Sequence, residues 1–207
     1  MKTILFQGDS ITDVGRSREN DAARGHGYAT LTAARLMLDH PGEFNIINRG
    51  ISGNRIVDLY SRIKIDFINL KPDYLSILIG VNDVWHEVSR ENGVDNEKFL
   101  RVYCWLIEEI KAALPDIRIY ILEPFVLRGP ATEEHFDLFD REVRLRAESA
   151  RKVAEKYHLT FIPLQDKLDA MCEVCESTYW LGDGVHPTAA GHELIARALT
   201  EAIERDI

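Results

Sequence analysis

The segment YLSILI, residues 74–79, decides the fold class, because it is short, almost wholly apolar and followed directly by Gly80. Parallel strands that are buried on both faces have this composition, whereas strands with one wet face alternate apolar and polar residues. Four further short β-rich runs flank it in the sequence, at residues 3–6, 44–48, 117–122 and 159–162. The chain is therefore predicted to build a buried sheet of five strands.

Longer amphipathic segments separate these runs and predict helices. The clearest covers residues 97–114, where apolar residues recur at three- and four-residue steps between a candidate N-cap, Asp95, and a stop at Pro115. Other helices are predicted at residues 28–38, 55–68 and 134–157 and from Thr188 onward. Alternating strands and helices predict an α/β fold, a three-layer α/β/α sandwich of the flavodoxin-like kind, in a single domain, residues 1–207.

The overall composition limits the function classes. Among 207 residues the formal net charge is −9, which argues against general binding to nucleic acid or to anionic membranes. Three cysteines are too few for a disulfide framework, and no amino-terminal stretch resembles a secretory signal. We therefore expect a cytoplasmic enzyme or binding domain, in which Cys172 and Cys175 are ordinary thiols rather than a redox or metal-binding pair.

In parallel α/β sheets ligands bind beyond the carboxyl ends of the strands, so residues directly after strands are the candidates for a site. Gly8-Asp9-Ser10 follows the first predicted strand. A serine that is exposed at such a turn becomes a nucleophile when a base lies near it. The competing interpretation is that Asp9 or Ser10 only caps a helix.

The second and third strands are followed by GISGN, residues 50–54, and by GVND, residues 80–83. Glycines in the first segment allow a backbone N–H to approach a ligand, and Ser52 is a rival nucleophile. Ser52 does not complete the G-x-S-x-G pattern, because position 54 is Asn54. Asn82 can donate a side-chain N–H to a developing oxyanion, although ordinary turns also explain both segments.

The fourth candidate segment is DGVHP, residues 183–187, shortly before the last helix. Asp183 and His186 lie three positions apart on one loop, where the carboxylate can orient and stabilise the imidazole. Pro187 keeps His186 out of a helical conformation. The alternatives are a capping turn with a surface histidine, and a metal site of Asp183, His186 and His192 that lacks a fourth ligand.

In order along the chain, these segments resemble the four blocks of the SGNH (GDSL) hydrolase superfamily: FQGDSIT, ISGN, GVND and DGVH. The resemblance runs nearly end to end and implies a serine hydrolase with the α/β fold of that superfamily. It implies Ser10 as the nucleophile, with Asp183 and His186 completing a catalytic triad. It further implies an oxyanion hole made by the backbone N–H groups of Ser10 and Gly53 and by the side chain of Asn82.

Longer strings around these blocks, among them NRGISGNRIVDL and DGVHPTAAGHELIARAL, resemble the intracellular acetylxylan esterases of this superfamily. This resemblance implies a serine esterase that removes O-acetyl groups from xylo-oligosaccharides through an acyl-enzyme. It implies no metal and no organic cofactor. The implied partner is a small-molecule ester, an acetylated oligosaccharide, and a homo-oligomer is left open.

Three residues near the catalytic blocks are candidates for substrate binding: Asp9, Trp85 and Trp180. Trp85 follows the third block and Trp180 precedes the fourth, and the apolar face of an aromatic ring can stack on a sugar. Packing in the core or beneath a lid is their alternative role. Trp105 falls on the polar face of a predicted helix, where it marks either a subunit contact or packing against a neighbouring loop.

Two other kinds of function remain open at this point. Within the superfamily, the chain is alternatively a general carboxylesterase, a thioesterase or a lysophospholipase. Outside the enzymes, the alternative is a carbohydrate-binding protein that has kept the fold without catalysis. The presence of a nucleophile together with its base argues against that last alternative, because binding alone needs neither.

Overall fold

The computed structural model describes all 207 residues and contains one sheet of five strands in the order β2-β1-β3-β4-β5. The strands are β1 Lys2–Gly8, β2 Phe44–Asn48, β3 Tyr74–Leu78, β4 Arg118–Leu122 and β5 Thr160–Ile162. Every neighbouring pair is parallel. The predicted five-stranded parallel sheet is confirmed, and the segment YLSILI supplies its central strand.

Ten α-helices connect and cover the strands. Those before β3 are α1 Ser10–Asp13, α2 Tyr28–Asp39, α3 Ile56–Ser61 and α4 Ile63–Asp66. Those between β3 and β5 are α5 Val81–Arg90, α6 Asn96–Ala113 and α7 Phe136–Tyr157. The last three are α8 Gln165–Cys172, α9 Ser177–Trp180 and α10 Ala189–Glu204, and short 3-10 turns lie at Ile68–Leu70 and Glu133–His135. None of these helices combines the length and the apolar character needed to cross a lipid bilayer.

The side chains of β3 alternate between two buried clusters, one on each face of the sheet. Leu78 lies in the cluster that includes Leu36 of α2 and Leu199 of α10. Ile77 lies in the other cluster, with Ile107 of α6. Both faces of the sheet are therefore covered by helices. Burying one such side chain contributes roughly 1.5–3 kcal/mol to stability. The predicted three-layer α/β/α sandwich is therefore confirmed.

The long helices have nearly the predicted bounds. α6 begins after Asp95, whose carboxylate accepts a hydrogen bond from the Lys98 N–H. α10 begins after Thr188, whose hydroxyl accepts a hydrogen bond from the Gly191 N–H. The sequence pattern misses α1, α5, α8 and α9, because helices of four to ten residues contain too few turns to show a period.

The helix predicted over residues 55–68 is present but interrupted, because the chain breaks at Arg62 into α3 and α4. Arg62 has φ −113° and ψ 17°, outside the helical region. Its guanidinium donates to Asn54 Oδ1 at 2.9 Å and to the Arg49 carbonyl oxygen at 3.0 Å. The break thus coincides with a residue whose side chain reaches back to the loop after β2.

Candidate active site

Ser10 lies where β1 ends and α1 begins, at the carboxyl edge of the sheet. The chain turns there at Gly8, where any side chain would collide with Thr12. Asp9 caps α1, because its carboxylate accepts a hydrogen bond of 2.9 Å from the Ile11 N–H. Ser10 is thereby the first residue of the helix, and it is only partly buried.

His186 lies on the loop between α9 and α10. An antiparallel bridge between Leu181 and Pro187 closes this loop. Asp183 Oδ1 accepts hydrogen bonds from the backbone N–H groups of Val185 at 2.9 Å and His186 at 2.8 Å. These bonds fix the carboxylate within the loop and leave its second oxygen for the imidazole.

A continuous chain of hydrogen bonds joins the two ends of the sequence. Ser10 Oγ lies 2.9 Å from His186 Nε2, although 176 positions separate the two residues. His186 Nδ1 lies 2.7 Å from Asp183 Oδ2. In this order an imidazole can take the serine proton while the carboxylate fixes its tautomer and stabilises the imidazolium. The structure thus brings together the three residues that the sequence singled out.

The electrostatics around His186 suit a general base. Burial alone raises the pKa of Asp183, but hydrogen bonds from the His186 side chain and from two backbone N–H groups outweigh burial and lower that pKa to about 2. Asp183 is therefore ionised near neutral pH. The hydrogen bond that the His186 imidazole donates to Asp183 raises the pKa of His186 against the opposing effect of burial, and the negative charges of Asp183 and Asp9 act in the same direction.

Three N–H donors in the segments that follow β1, β2 and β3 have hydrogen-bonding capacity to spare. The backbone N–H groups of Ser10 and Gly53 make no hydrogen bond within the protein. Gly53 has φ +81°, in the left-handed region that favours glycine. The buried Asn82 side chain, in the first turn of α5, donates to the Asn54 carbonyl oxygen at 3.2 Å and keeps a second N–H free. Such donors can stabilise negative charge on an oxygen atom.

Two residues of α5 border His186 and Gly53. The ring centroids of Trp85 and His186 are 5.7 Å apart, with the ring planes tilted by 48°. His86, which the sequence analysis missed, has Nε2 4.0 Å from the position that a Cβ on Gly53 would occupy. The signal that could have found it is its spacing, because residues four apart on a helix, here Asn82 and His86, share a face.

Asp9 and Trp180 do not reach the surface of the site, which corrects their prediction as substrate contacts. Asp9 is 1% exposed, and burial raises its pKa to about 7. Trp180 is 8% exposed, and its indole N–H donates to the carbonyl oxygens of Met171 and Cys175. Each lies beside a catalytic block in the sequence, but one caps a helix and the other packs in the core.

Ser52 and His192 take no part in the hydrogen-bonded chain. The Ser52 hydroxyl donates to Asp13 Oδ2 at 3.0 Å and therefore has a carboxylate, not an imidazole, as its partner. His192 is buried, and its Nδ1 accepts a hydrogen bond of 3.2 Å from the Tyr28 N–H. No group of three His, Cys, Asp or Glu side chains has an arrangement that could hold a metal ion.

The remaining candidates lie away from the hydrogen-bonded chain. Cys172 and Cys175 are free, half-buried thiols at and just beyond the end of α8, and burial raises the pKa of Cys172. Trp105 is 46% exposed, and its ring centroid lies 6.2 Å from that of Tyr60 on α3. Trp105 therefore packs against a helix rather than against a loop.

A parallel α/β sheet that carries serine, histidine and aspartate in hydrogen-bonded order at its carboxyl edge has the architecture of a serine hydrolase. The chain belongs to the GDSL-like lipase/acylhydrolase family, whose model matches residues 6–194. It is a carboxylic ester hydrolase, as that family and its acetylxylan esterase relatives indicate. The superfamily resemblance inferred from the sequence is confirmed.

An acetylxylan esterase from Geobacillus stearothermophilus is 31% identical over 209 aligned residues, which cover 97% of this chain and 93% of the relative. The solved structure of Axe2, an acetylxylan esterase of that organism, has 30% identity and a TM-score of 0.87, covering 98% of this chain and 94% of its own. A GDSL-like protein from Parabacteroides merdae has 38% identity and a TM-score of 0.93, covering 98% and 95%. The solved catalytic mutants of Axe2 replace one serine, one aspartate and one histidine by alanine.

Proposed function

We propose that this protein, as a single domain, is a serine esterase that removes O-acetyl groups from carbohydrates, with acetylated xylo-oligosaccharides as its substrate class. The observation that carries the proposal is the hydrogen-bonded chain from Ser10 through His186 to Asp183. The 31% identity with an acetylxylan esterase over nearly the whole chain supports the choice of acyl group and sugar. The three residue types mutated in the catalytic variants of Axe2 support the same catalytic set.

In the first half of the proposed reaction, Ser10 Oγ attacks the ester carbonyl carbon while His186 Nε2 accepts the serine proton. The carbonyl oxygen becomes an oxyanion, to which the N–H groups of Ser10, Gly53 and Asn82 donate hydrogen bonds. The imidazolium, stabilised by Asp183, then protonates the leaving sugar oxygen as the carbon–oxygen bond breaks. The products are an acetyl group on Ser10 and a free sugar hydroxyl.

The second half of the reaction uses the same groups on a water molecule. His186 takes a proton from water as the water oxygen attacks the acetyl carbonyl carbon, and the same N–H groups hold the second oxyanion. Collapse of this intermediate releases acetate and returns the proton from His186 to Ser10 Oγ. Because every proton passes through His186, the proposal needs neither a metal nor an organic cofactor.

The open position of the reacting groups supports a small acyl group. The side chains of His186 and Asp183 are 43% and 35% exposed. A long acyl chain would gain roughly 0.8 kcal/mol per buried CH₂ only inside an apolar channel. The apolar groove that Met171, Trp180 and Leu194 line includes none of the three triad candidates.

Trp85 supports the sugar side of the proposal. Its partly buried ring borders His186, the group that protonates the leaving alcohol in the proposed reaction. An aromatic face next to the leaving group can stack on the sugar ring that carries the ester. We therefore assign Trp85 to substrate binding in the proposed enzyme.

The test is the release of acetate from acetylated xylo-oligosaccharides, compared with p-nitrophenyl esters whose acyl chain lengthens from acetyl to octanoyl. We expect a steep preference for acetyl and no acetate release by Ser10→Ala purified in the same way. A preference for octanoyl contradicts the proposal and favours a carboxylesterase or lysophospholipase, and faster cleavage of acetyl-CoA favours a thioesterase. Oligosaccharide binding without acetate release indicates a non-catalytic carbohydrate-binding protein.

A further inference from the structure

The loop that carries Gly53, residues 49–54 and called the Gly53 loop below, lies directly against α1. A Cβ atom on Gly50 would lie 2.5 Å from the backbone nitrogen of Asp13, so only glycine fits at this position. The Ile51 N–H donates to the carbonyl oxygen of the last residue of β1 at 3.0 Å. The loop therefore rests on the turn from which the proposed nucleophile projects.

Asp13, the last residue of α1, holds the Gly53 loop with its side chain. Its Oδ2 accepts hydrogen bonds of 3.0 Å from both the backbone N–H and the hydroxyl of Ser52. Arg18 donates to the same oxygen at 2.7 Å. Asp13 is buried, and hydrogen bonds to a carboxylate are stronger than those between neutral groups. Ser52 is thus fixed through its main chain and its side chain at once.

Gly53 has no means of holding its own orientation. It lacks a Cβ, its φ of +81° is one of many that glycine can adopt, and its N–H makes no bond within the protein. That N–H belongs to the peptide group between Ser52 and Gly53. Once the backbone nitrogen and side chain of Ser52 are fixed, a single torsion, ψ of Ser52, aims the Gly53 N–H.

We propose that Asp13 is a positioning residue for ester hydrolysis, which aims the Gly53 N–H at the oxyanion by holding Ser52 against α1. Ser10 and Asp13 are the two ends of the same four-residue helix, so the hydroxyl and the N–H are held as one unit. The inference rests on the proposed function, in which Gly53 donates to the oxyanion. Asp13 makes no hydrogen bond to the triad candidates, so its effect passes through Ser52.

Substitution of Asp13 is expected to lower kcat more than it changes KM. Removing an oxyanion donor outright costs roughly 10²–10³ in kcat, so a donor that is only loosened in Asp13→Asn is expected to cost about 10-fold. KM is expected to stay within about twofold, because the donor acts on the transition state. Ser52→Ala keeps its N–H bond to Asp13 and loses only the hydroxyl bond, so its loss is expected to be smaller.

The test compares hydrolysis of p-nitrophenyl acetate with that of its thiono analogue, in which sulfur replaces the carbonyl oxygen. Sulfur is a weak hydrogen-bond acceptor, so oxyanion donors accelerate the ester more than the thionoester. We expect Asp13→Asn to lower kcat/KM for the ester more than for the thionoester. A merely structural loss of active enzyme lowers both rates by the same factor.

Two reference variants make the outcome decisive. Asn82→Ala lowers the ratio of ester to thionoester rates if the oxyanion hole is assigned correctly. Asp21→Asn removes an exposed carboxylate that pairs with Arg49 of the same loop, and the ratio is expected to stay unchanged. A lowered ratio in Asn82→Ala with an unchanged ratio in Asp13→Asn overturns the positioning role alone. Unchanged ratios in both overturn the oxyanion-hole assignment and, with it, this inference; if Asp13→Asn does not fold, Ser52→Ala takes its place.

Discussion

The Ser10 turn and the His186 loop contribute the two ends of one hydrogen bond, but they are built differently. Around Ser10, the chain passes directly from β1 into α1, and the flanking Asp9 and Asp13 are buried. The His186 loop connects two helices, and its imidazole is held by a hydrogen bond to Asp183, with both side chains partly exposed. The position of Ser10 is thus set by packing and that of His186 by electrostatics. Substitutions in the two regions should therefore impair the protein in different ways.

The largest effect on kcat is expected at the Ser10 turn. Ser10→Ala removes the proposed nucleophile and should lower kcat by roughly 10⁴–10⁶-fold. The free energy of unfolding should change by less than about 1 kcal/mol, because the side chain is small and partly exposed. Steady-state hydrolysis and urea unfolding measure the two quantities. A fluorophosphonate probe that labels Ser10→Ala but not Ser52→Ala would identify Ser52, in the Gly53 loop, as the nucleophile. That result would contradict the comparison drawn above.

The second-largest effect is expected at Asn82, the buried side-chain donor of α5. Asn82→Ala should lower kcat by roughly 10²–10³, with little change in KM, because its free N–H acts on charge that develops only during the reaction. Asn20→Ala, in an exposed segment, is the matched control and should leave kcat unchanged. A rise in KM without a fall in kcat would assign Asn82 to ground-state binding instead.

At the His186 loop, the expected effect is a dependence of kcat/KM on pH. Only the neutral imidazole accepts the serine proton, so kcat/KM should decline as the pH falls through the His186 pKa. Because Asp183 raises that pKa, the decline should be centred above the ordinary histidine value of about 6.5. The measurement is the pH profile of kcat/KM. A flat profile from about pH 5 to about pH 8 would contradict a histidine base.

The smallest effect on catalysis is expected at Trp180. Trp180→Phe removes the indole N–H that donates to Met171 and Cys175, and should destabilise the fold by about 1–3 kcal/mol in urea unfolding. Its kcat and KM should stay within about twofold, because the indole bonds to Met171 and Cys175 and its ring packs on Tyr179, not on the triad candidates. Trp85→Phe is the matched variant and should raise KM for acetylated oligosaccharides. A raised KM in Trp180→Phe would return that residue to the substrate-binding set.

The sheet could be predicted from the sequence because each strand is short and nearly all apolar, as in YLSILI. The interruption of the helix at Arg62 could not be predicted, since the apolar residues Ile56, Leu59 and Ile63 keep a helical spacing across the break. The break coincides with a tertiary contact, in which the guanidinium of Arg62 donates hydrogen bonds to the Gly53 loop. The spacing of apolar residues within one segment gives no information about such a contact.

In the site, the residues that follow strands could be predicted, because the carboxyl edge of a parallel sheet collects them. The burial of Asp9 (1% exposed) could not be predicted, since a position directly after a strand does not fix whether the side chain points into the site or into the core. The contact between Asp13 and Ser52 joins segments 39 positions apart and leaves no local signal. The cytoplasmic location and the oligomeric state stay predictions.

The separation of Ser10 from His186 along the chain has a consequence for biosynthesis. In a polypeptide still attached to the ribosome, Ser10 is made first, and His186 follows only after the intervening stretch of the 176-position separation has been translated. Until then the Ser10 hydroxyl lacks its proposed base. In the proposed mechanism, hydrolytic activity therefore arises only after His186 has been translated, and its appearance during in vitro translation reports that the His186 loop has folded against Ser10.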